Sequence, residues 1–228
     1  MQLTRRSFTY PEDALRAVAG VAAKYQNELQ DDYVAGLWRR ALVRELLWHG
    51  TLEYDRKNLQ PLPSRYIAPS WSWASHQGEI LFPSLHPDAV TSTVVIIDCF
   101  VVLMNSALPF GDIVGGQITI CAPVKTARLV SVALFDLQPE TDEVRGLVHI
   151  DSREDLQSEF RRSRTVVNEF DIIICLRLSE EQGLVLRQVN MNKYTGEQGS
   201  RKYRRIGHFN SHSKEWLGDC KEEQVTLV

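Results

Sequence analysis

Cysteine is scarce in this chain, and its four copies, Cys99, Cys121, Cys175 and Cys220, lie far apart with no C-x-x-C spacing. That removes the zinc ribbons and dithiol redox motifs that such spacing marks. Three of the four sit in apolar, strand-like runs, where a free thiol behaves as a small buried hydrophobe. Reduced, inert thiols are expected in the cytosol or nucleus, and the working assignment is cytoplasmic. Long apolar runs are lacking too. The longest, Val94 to Met104, is broken by Asp98 and falls short of the roughly 20 residues a membrane-spanning helix needs, so no membrane partner is expected. The stretch from Met1 to Asp13 has no apolar core of a secretory signal, and Glu12 and Asp13 come too early for a typical transit peptide. Charge of one sign is also missing: the formal net charge is −3 over 228 residues, so no overall field recruits nucleic acid or anionic lipid. There is no G-x-x-x-x-G-K-[ST] loop and no G-x-G-x-x-G fingerprint. Nucleotide chemistry has no support, and neither a cofactor nor a metal is expected.

What is present is ample core material, with 43% hydrophobic residues. Thr9-Tyr10-Pro11-Glu12 matches a capping box, which predicts a helix starting near residue 10. Leu15, Val18, Ala19 and Ala22 recur on one helical face, while Glu12, Arg16 and Lys24 suit its wetter sides. The alanines and Gly20 predict close approach to a neighbour. Polar Asn27 to Asp32 ends the helix. A second helix is predicted over Tyr33 to His49, apolar at Leu37, Trp38, Ala41, Leu42, Leu46, Leu47 and Trp48, with Gly50 as its left-handed cap. Glu53 to Pro63 reads as a connector.

The chain pivots at Arg65 to Gly78, which holds Trp71 and Trp73 at alternate positions after Pro69. An extended strand would send both rings to one face and Ser70 and Ser72 to the other. Two buried indoles bring a large apolar area, so Arg65, Pro69, Trp71 and Trp73 are predicted to form a structural junction. Downstream, β-branched runs alternate with turn residues. Strands are predicted over 93–104, 117–123, 127–135, 144–150, 170–178, 183–190, 202–209 and 224–228, with turns at Gly115-Gly116 and from Gln138-Pro139 to Asp142. The charge-rich stretch from Asp151 to Arg164 reads as a short exposed helix or a loop. The expected fold is α+β: an N-terminal helical portion (1–64) packed on a mainly antiparallel β sheet or barrel (65–228), together one cooperative unit.

In this order the segments resemble the region that follows the core of fungal heterokaryon-incompatibility proteins, the HET-domain family. The most specific match is Ala68-Pro69-Ser70-Trp71-Ser72-Trp73-Ala74-Ser75. The run from Asp13 to Ala22, Tyr33-Val34-Ala35-Gly36-Leu37-Trp38 with Leu46-Leu47-Trp48, Gly115-Gly116-Gln117-Ile118-Thr119-Ile120, Cys175-Leu176-Arg177-Leu178, Gly183-Leu184-Val185-Leu186 and Tyr203-Arg204-Arg205-Ile206-Gly207 are similar to further family segments. The HET domain proper would lie upstream of Met1, so the resemblance implies the companion C-terminal region alone. It carries over no active-site residue. It implies a role in nonself recognition and programmed cell death, with another HET-type or cell-death protein as the partner.

Candidate chemistry is thin. Ser70, Ser72 and Ser75 lie near His76 in sequence, but no G-x-S-x-G elbow accompanies them, and hydroxyls capping a turn account for them as well. His208 and His212 would stand roughly 13 Å apart along an extended strand, too far for one ion. His149 reads as a partly buried strand histidine. Arg201, Lys202, Arg204 and Arg205 around Tyr203 form a weak candidate anion patch, with Arg161, Arg162 and Arg164 as a second basic cluster, although alternation on a strand would split Arg204 from Arg205. Solvated strand edges are the ordinary explanation for such cations. Asp136, Glu140, Asp142 and Glu143 lack the spacing of a calcium loop. The expected function is a non-catalytic accessory or recognition region. A small-molecule enzyme or ligand-binding barrel is the alternative. Nucleic-acid binding through the basic clusters is a weaker third.

Overall fold

The computed structural model describes residues 10–51, 61–83, 93–131, 136–138, 146–152, 154–155, 172–189, 201–211 and 218–228. These residues are mostly β. Helix α1 spans Asp13–Leu29 and buries Ala14, Leu15, Val18 and Ala22, one stripe at helical spacing. It starts later than the capping box predicts. Glu12 makes no side-chain cap, and residues 10–12 form a turn in which Asp13 N–H donates to the Tyr10 carbonyl. Thr9 lies outside the described residues. Gln30 closes the helix in the left-handed region, φ 49°, with its N–H on the Gln26 carbonyl. Gly20 faces open space, so the expected close approach there does not occur.

The second predicted helix is not formed. In its place stand a hairpin of β1 (Tyr33–Val34) and β2 (Leu37–Trp38), a 3-10 turn at Arg39–Ala41, the single-turn α2 (Leu42–Glu45) and β3 (His49–Gly50). The reason is local. Ala35 at φ 50° and Gly36 at φ 93° both adopt positive φ, the requirement of a two-residue hairpin turn whose twist matches its strands. Gly50 does not cap a helix; it pairs with Ile80 of β4 (Ile80–Leu81).

The tryptophan stretch is not extended either. Residues 70–72 turn, and Trp73–Ser75 forms a 3-10 turn capped by the Ser72 hydroxyl, which accepts from Ala74 N–H at 3.1 Å. Both rings are buried nonetheless. Ser72 Oγ donates to the Ala35 carbonyl at 2.6 Å and Trp73 Nε1 to that of Gly36 at 2.8 Å, so this segment clasps the hairpin turn. A Cβ on Gly36 would lie 2.4 Å from Trp73 Nε1, which is why only glycine fits that turn.

The remaining strands are β5 (Val95–Leu103), β6 (Ile113–Ser131), β7 (Asp136–Gln138), β8 (Gly146–Ile150), β9 (Ile172–Arg177), β10 (Gln182–Gln188), β11 (Lys202–Ser211) and β12 (Lys221–Leu227). Gly115-Gly116 is not a turn but lies inside the long β6, which joins two predicted strands. Gly116 is needed there because its Cβ would sit 2.7 Å from the Pro69 ring. Asp136–Gln138, placed just before the predicted turn, is a strand; residues 139–145 are outside the described set. Pairing closes a five-strand ring, β6–β9–β10–β11–β12–β6. Four of its junctions are antiparallel and only β11–β12 is parallel. β8 pairs with β11 outside that ring, and β5 pairs with β6.

Alternation along the strands feeds two apolar clusters. Ile174 and Leu176 of β9 and Leu184 and Leu186 of β10 belong to one that also holds Leu15, Leu37, Trp48, Trp71, Trp73, Ile118 and Leu227. Ile173, Cys175 and Val185, on the opposite faces, join Val148, Ile150, Ile206 and Phe209 in the other. All four cysteines are free. Cys99 and Cys175 are buried, and burial pushes the Cys99 thiol up to about 11.

Candidate functional site

Strand β11 carries an arginine into the interior. The sequence marks Arg205 as one of four neighbouring surface cations, but the structure buries it completely. Lys202, Tyr203, Arg204 and Arg205 alternate as expected, and a bulge opposite Val185/Leu186 inserts Ile206, so Arg205 and His208 both turn inward. The guanidinium donates from Nε to Asp151 Oδ2 at 2.8 Å and from Nη2 to Asp151 Oδ1 at 3.3 Å. Nη1 donates to the Leu46 carbonyl at 2.7 Å, and Nη2 also reaches the Trp48 carbonyl. Its Cζ sits 3.4 Å from the centroid of the Trp48 ring, a cation–π contact. A charge in so dry a place is tolerable only when paired and hydrogen-bonded, and this one is paired with Asp151 and makes four hydrogen bonds.

The remaining contacts tie the tryptophan stretch to the same point. Trp48 Nε1 donates to the Trp71 carbonyl at 2.9 Å, and Arg205 N–H donates to Ser70 Oγ at 3.0 Å. The Ser70 hydroxyl in turn donates to the Val228 main-chain oxygen. His76 Nδ1 stands 2.8 Å from the Asp151 carbonyl, and its ring lies 5.7 Å from that of Trp48. Of the four residues predicted as a junction, Trp71, Trp73 and Pro69 are buried and Arg65 is exposed. Arg205, read from sequence as a surface cation, is the connecting group.

A trio of histidines abuts this ion pair. Ring centroids of His49 and His149 are 4.8 Å apart, those of His49 and His208 5.1 Å, and those of His149 and His208 5.6 Å. His208 faces His149 directly in the β11–β8 ladder, and His49 enters from β3. His49 Nδ1 meets the Gly50 carbonyl at 2.9 Å, and His208 Nε2 meets Gln182 Oε1 at 3.4 Å. Among the described residues, the buried Nδ1 atoms of His149 and His208 have no hydrogen-bond partner. Burial, reinforced by His49, pulls His149 down to about 4 against the opposing Asp151. Burial also holds His208 well below its ordinary value, with Arg205 and the other two histidines pushing the same way. His76 is lowered by burial, partly offset by Asp151.

Other predicted features separate. Arg201 is exposed, Lys202 and Arg204 are half-buried, and Arg205 is inside, so the four do not gather into an anion patch. Arg204 pairs with Asp155, a buried carboxylate that also receives Arg187 at 3.3 Å and the Ser152 hydroxyl at 2.6 Å. Arg161, Arg162, Arg164, His212, Glu140, Asp142 and Glu143 fall outside the described residues, and of Asp136 only the backbone is described. Ser75 Oγ donates to the Ser72 carbonyl at 2.8 Å; with Ser70 and Ser72 likewise turned to main-chain oxygens, the three hydroxyls act as turn and segment ties. Among the described residues, no group of three or more His, Cys, Asp or Glu side chains is placed to hold a metal ion. None of the described helices is long and apolar enough to cross a membrane.

The outer face of the β5–β6 hairpin is a different kind of surface. Ile97, Phe100, Val102, Met104, Leu108 and Val114 are all exposed, Met104 by 66%. β5 pairs only with β6 among the described residues, and Arg39 Nη2 occupies part of its other edge by donating to the Cys99 carbonyl at 2.7 Å. No family model, curated protein or solved structure matches the chain.

Proposed function

We propose that this chain is a non-catalytic recognition region of a HET-type protein in fungal nonself response, acting in the cytoplasm on another HET-type or cell-death protein. The observation that carries the reading is the apolar strip along β5 and β6. Monomeric proteins rarely leave several large side chains contiguous and wet unless something covers them. The Ala68–Ser75 segment supports the non-catalytic half of the reading, since the Trp73 indole and the hydroxyls of Ser70, Ser72 and Ser75 are spent on main-chain oxygens that hold the chain together. In the same reading the N-terminal helical portion rests on the β portion through Arg65 to Gly78, with Leu15 and Trp48 sharing a cluster with Ile118 and Leu227. A ligand-binding barrel is the second reading, but apolar side chains on both faces of β9 and β10 favour the first.

The test is proximity labelling in a filamentous fungus with the parent chain and with a Phe100→Ser/Val102→Thr/Met104→Ser variant. HET-type or cell-death proteins should label around the parent and be depleted severalfold around the variant. If none labels around the parent, and deletion leaves the outcome of hyphal fusion unchanged, the proposal fails.

A further inference from the structure

We propose that His49, His149 and His208, with His76 alongside, form a proton-operated latch that frees residues 46–50 and 73–81 from strands β8 and β11 on acidification. The geometry is that of three imidazoles in mutual ring contact, drawn from three strands, β3, β8 and β11. Two of them, His149 and His208, bury an Nδ1 that has no hydrogen-bond partner among the described residues. A neutral imidazole tolerates this with its bare lone pair inward, whereas an imidazolium would present an N–H donor with no acceptor.

The charged and titratable groups facing the trio are few. β3 contributes His49; β8 and its exit contribute His149 and Asp151; β11 contributes Arg205 and His208; the segment after Trp73 contributes His76; β10 contributes the neutral Gln182. Of the groups named here, all among the described residues, Asp151 is the carboxylate, and both of its oxygens already serve Arg205. A second positive charge would meet Arg205 and its fellow imidazoles, with the carboxylate of Asp151 already engaged. With the segments docked, the balance therefore favours uncharged rings at His149 and His208.

The direction of the pH effect follows. In the open state His149 and His208 titrate near about 6.5, while in the closed state His149 does so only at about 4 and His208 also well below its ordinary value. Closed-state stability from these rings is full above about 6.5 and is lost as pH falls below it, because the open state then binds more protons. The N-terminal side is the one that gives way. His49 sits in a two-residue ladder with β4, whereas His149 and His208 are stitched together by five registered pairs.

Amide hydrogen exchange at pH 7.5 and 5.5, corrected for intrinsic rates, tests this on the whole chain. Opening at the amides of Trp48, Thr51 and His76 should rise about 100-fold for two protons taken up, while Ile118 to Val124 of β6 keep their protection. In His149→Gln the rise should shrink to about 10-fold. Opening that does not change with pH, or β6 amides that rise in step with the others, overturns the latch. Should the variant fail to fold, the parent's imidazole C–H resonances decide alone. Shifts for His149 and His208 that stay flat to pH 5.5 in the closed state are required, and titration near about 6.5 without opening is fatal to it.

Discussion

Two regions of this molecule invert the ordinary distribution of polarity. Around Arg205 an ion pair lies in the interior with His208 buried and His49, His76 and His149 half-buried beside it, while along β5 and β6 large apolar side chains face water. The first arrangement is poor value as pure stabilisation, since a buried ion pair seldom outperforms packed hydrocarbon of the same shape. What it supplies is directionality: the guanidinium fork accepts only one placement of the Leu46 and Trp48 carbonyls, of Asp151 and of the Trp48 ring. The second arrangement is unfavourable for solubility and adds nothing to the fold. One region spends polarity on internal geometry and the other keeps hydrophobicity in reserve for contact.

Breaking the first region should have the largest effect. Arg205→Ala leaves Asp151 buried without its partner and two carbonyls without donors, and is expected to cost about 3 to 5 kcal/mol. Urea unfolding measures it, and a midpoint near the parent's would mean that the interior around Asp151 is wet. Trp71→Ala removes a fully buried indole and should cost a comparable 3 to 5 kcal/mol, roughly, toward the lower end if the site collapses. Its midpoint belongs in the same series, where a loss no larger than a surface change would contradict the burial of that ring. The comparison is sharpened by the smallest effect. Phe100→Ser with Val102→Thr should move stability by only about 0.5 kcal/mol either way, since neither ring nor branch is packed. A loss of several kcal/mol there would show that the strip is part of the core rather than a contact surface.

Much of this architecture was legible in residue pattern. The β-branched runs found β5, β8 to β12 and both halves of β6 to within a few residues, because a strand buried on one face or both leaves a periodic signature. Helix α1 was legible by Leu15, Val18 and Ala22; the structure adds Ala14 to that stripe and leaves Ala19 half-buried. Failure came where a single backbone angle outweighs composition. Tyr33 to His49 has helical spacing of apolar residues, yet Ala35 and Gly36 at positive φ reverse the chain, and their turn is held by Ser72 and Trp73 from 37 residues away. The glycines at 115 and 116 looked like a turn because what demands one of them, the ring of Pro69, comes from a distant segment.

The site was less legible than the fold. Arg205 is indistinguishable from Arg204 by type, and only the β11 bulge and Asp151 decide which of the two is buried. The histidine trio draws on positions 49, 149 and 208, and no spacing rule connects them. A residue-level hint did exist: Arg205 and His208 fall among Tyr203, Ile206 and Phe209, and a cation inside so apolar a run calls for a buried acid.

The parallel seam between β11 and β12 has a consequence for biosynthesis. Because β12 is the stave that fits between β6 and β11, ring closure must wait until residues 221–227 have left the ribosome. Until then the flanks of β6 and β11 stand open with unspent amides, and the indoles of Trp48 and Trp71 lack part of their lid. Long-range closure of this kind is slow, and its timing is set by the emergence of β12.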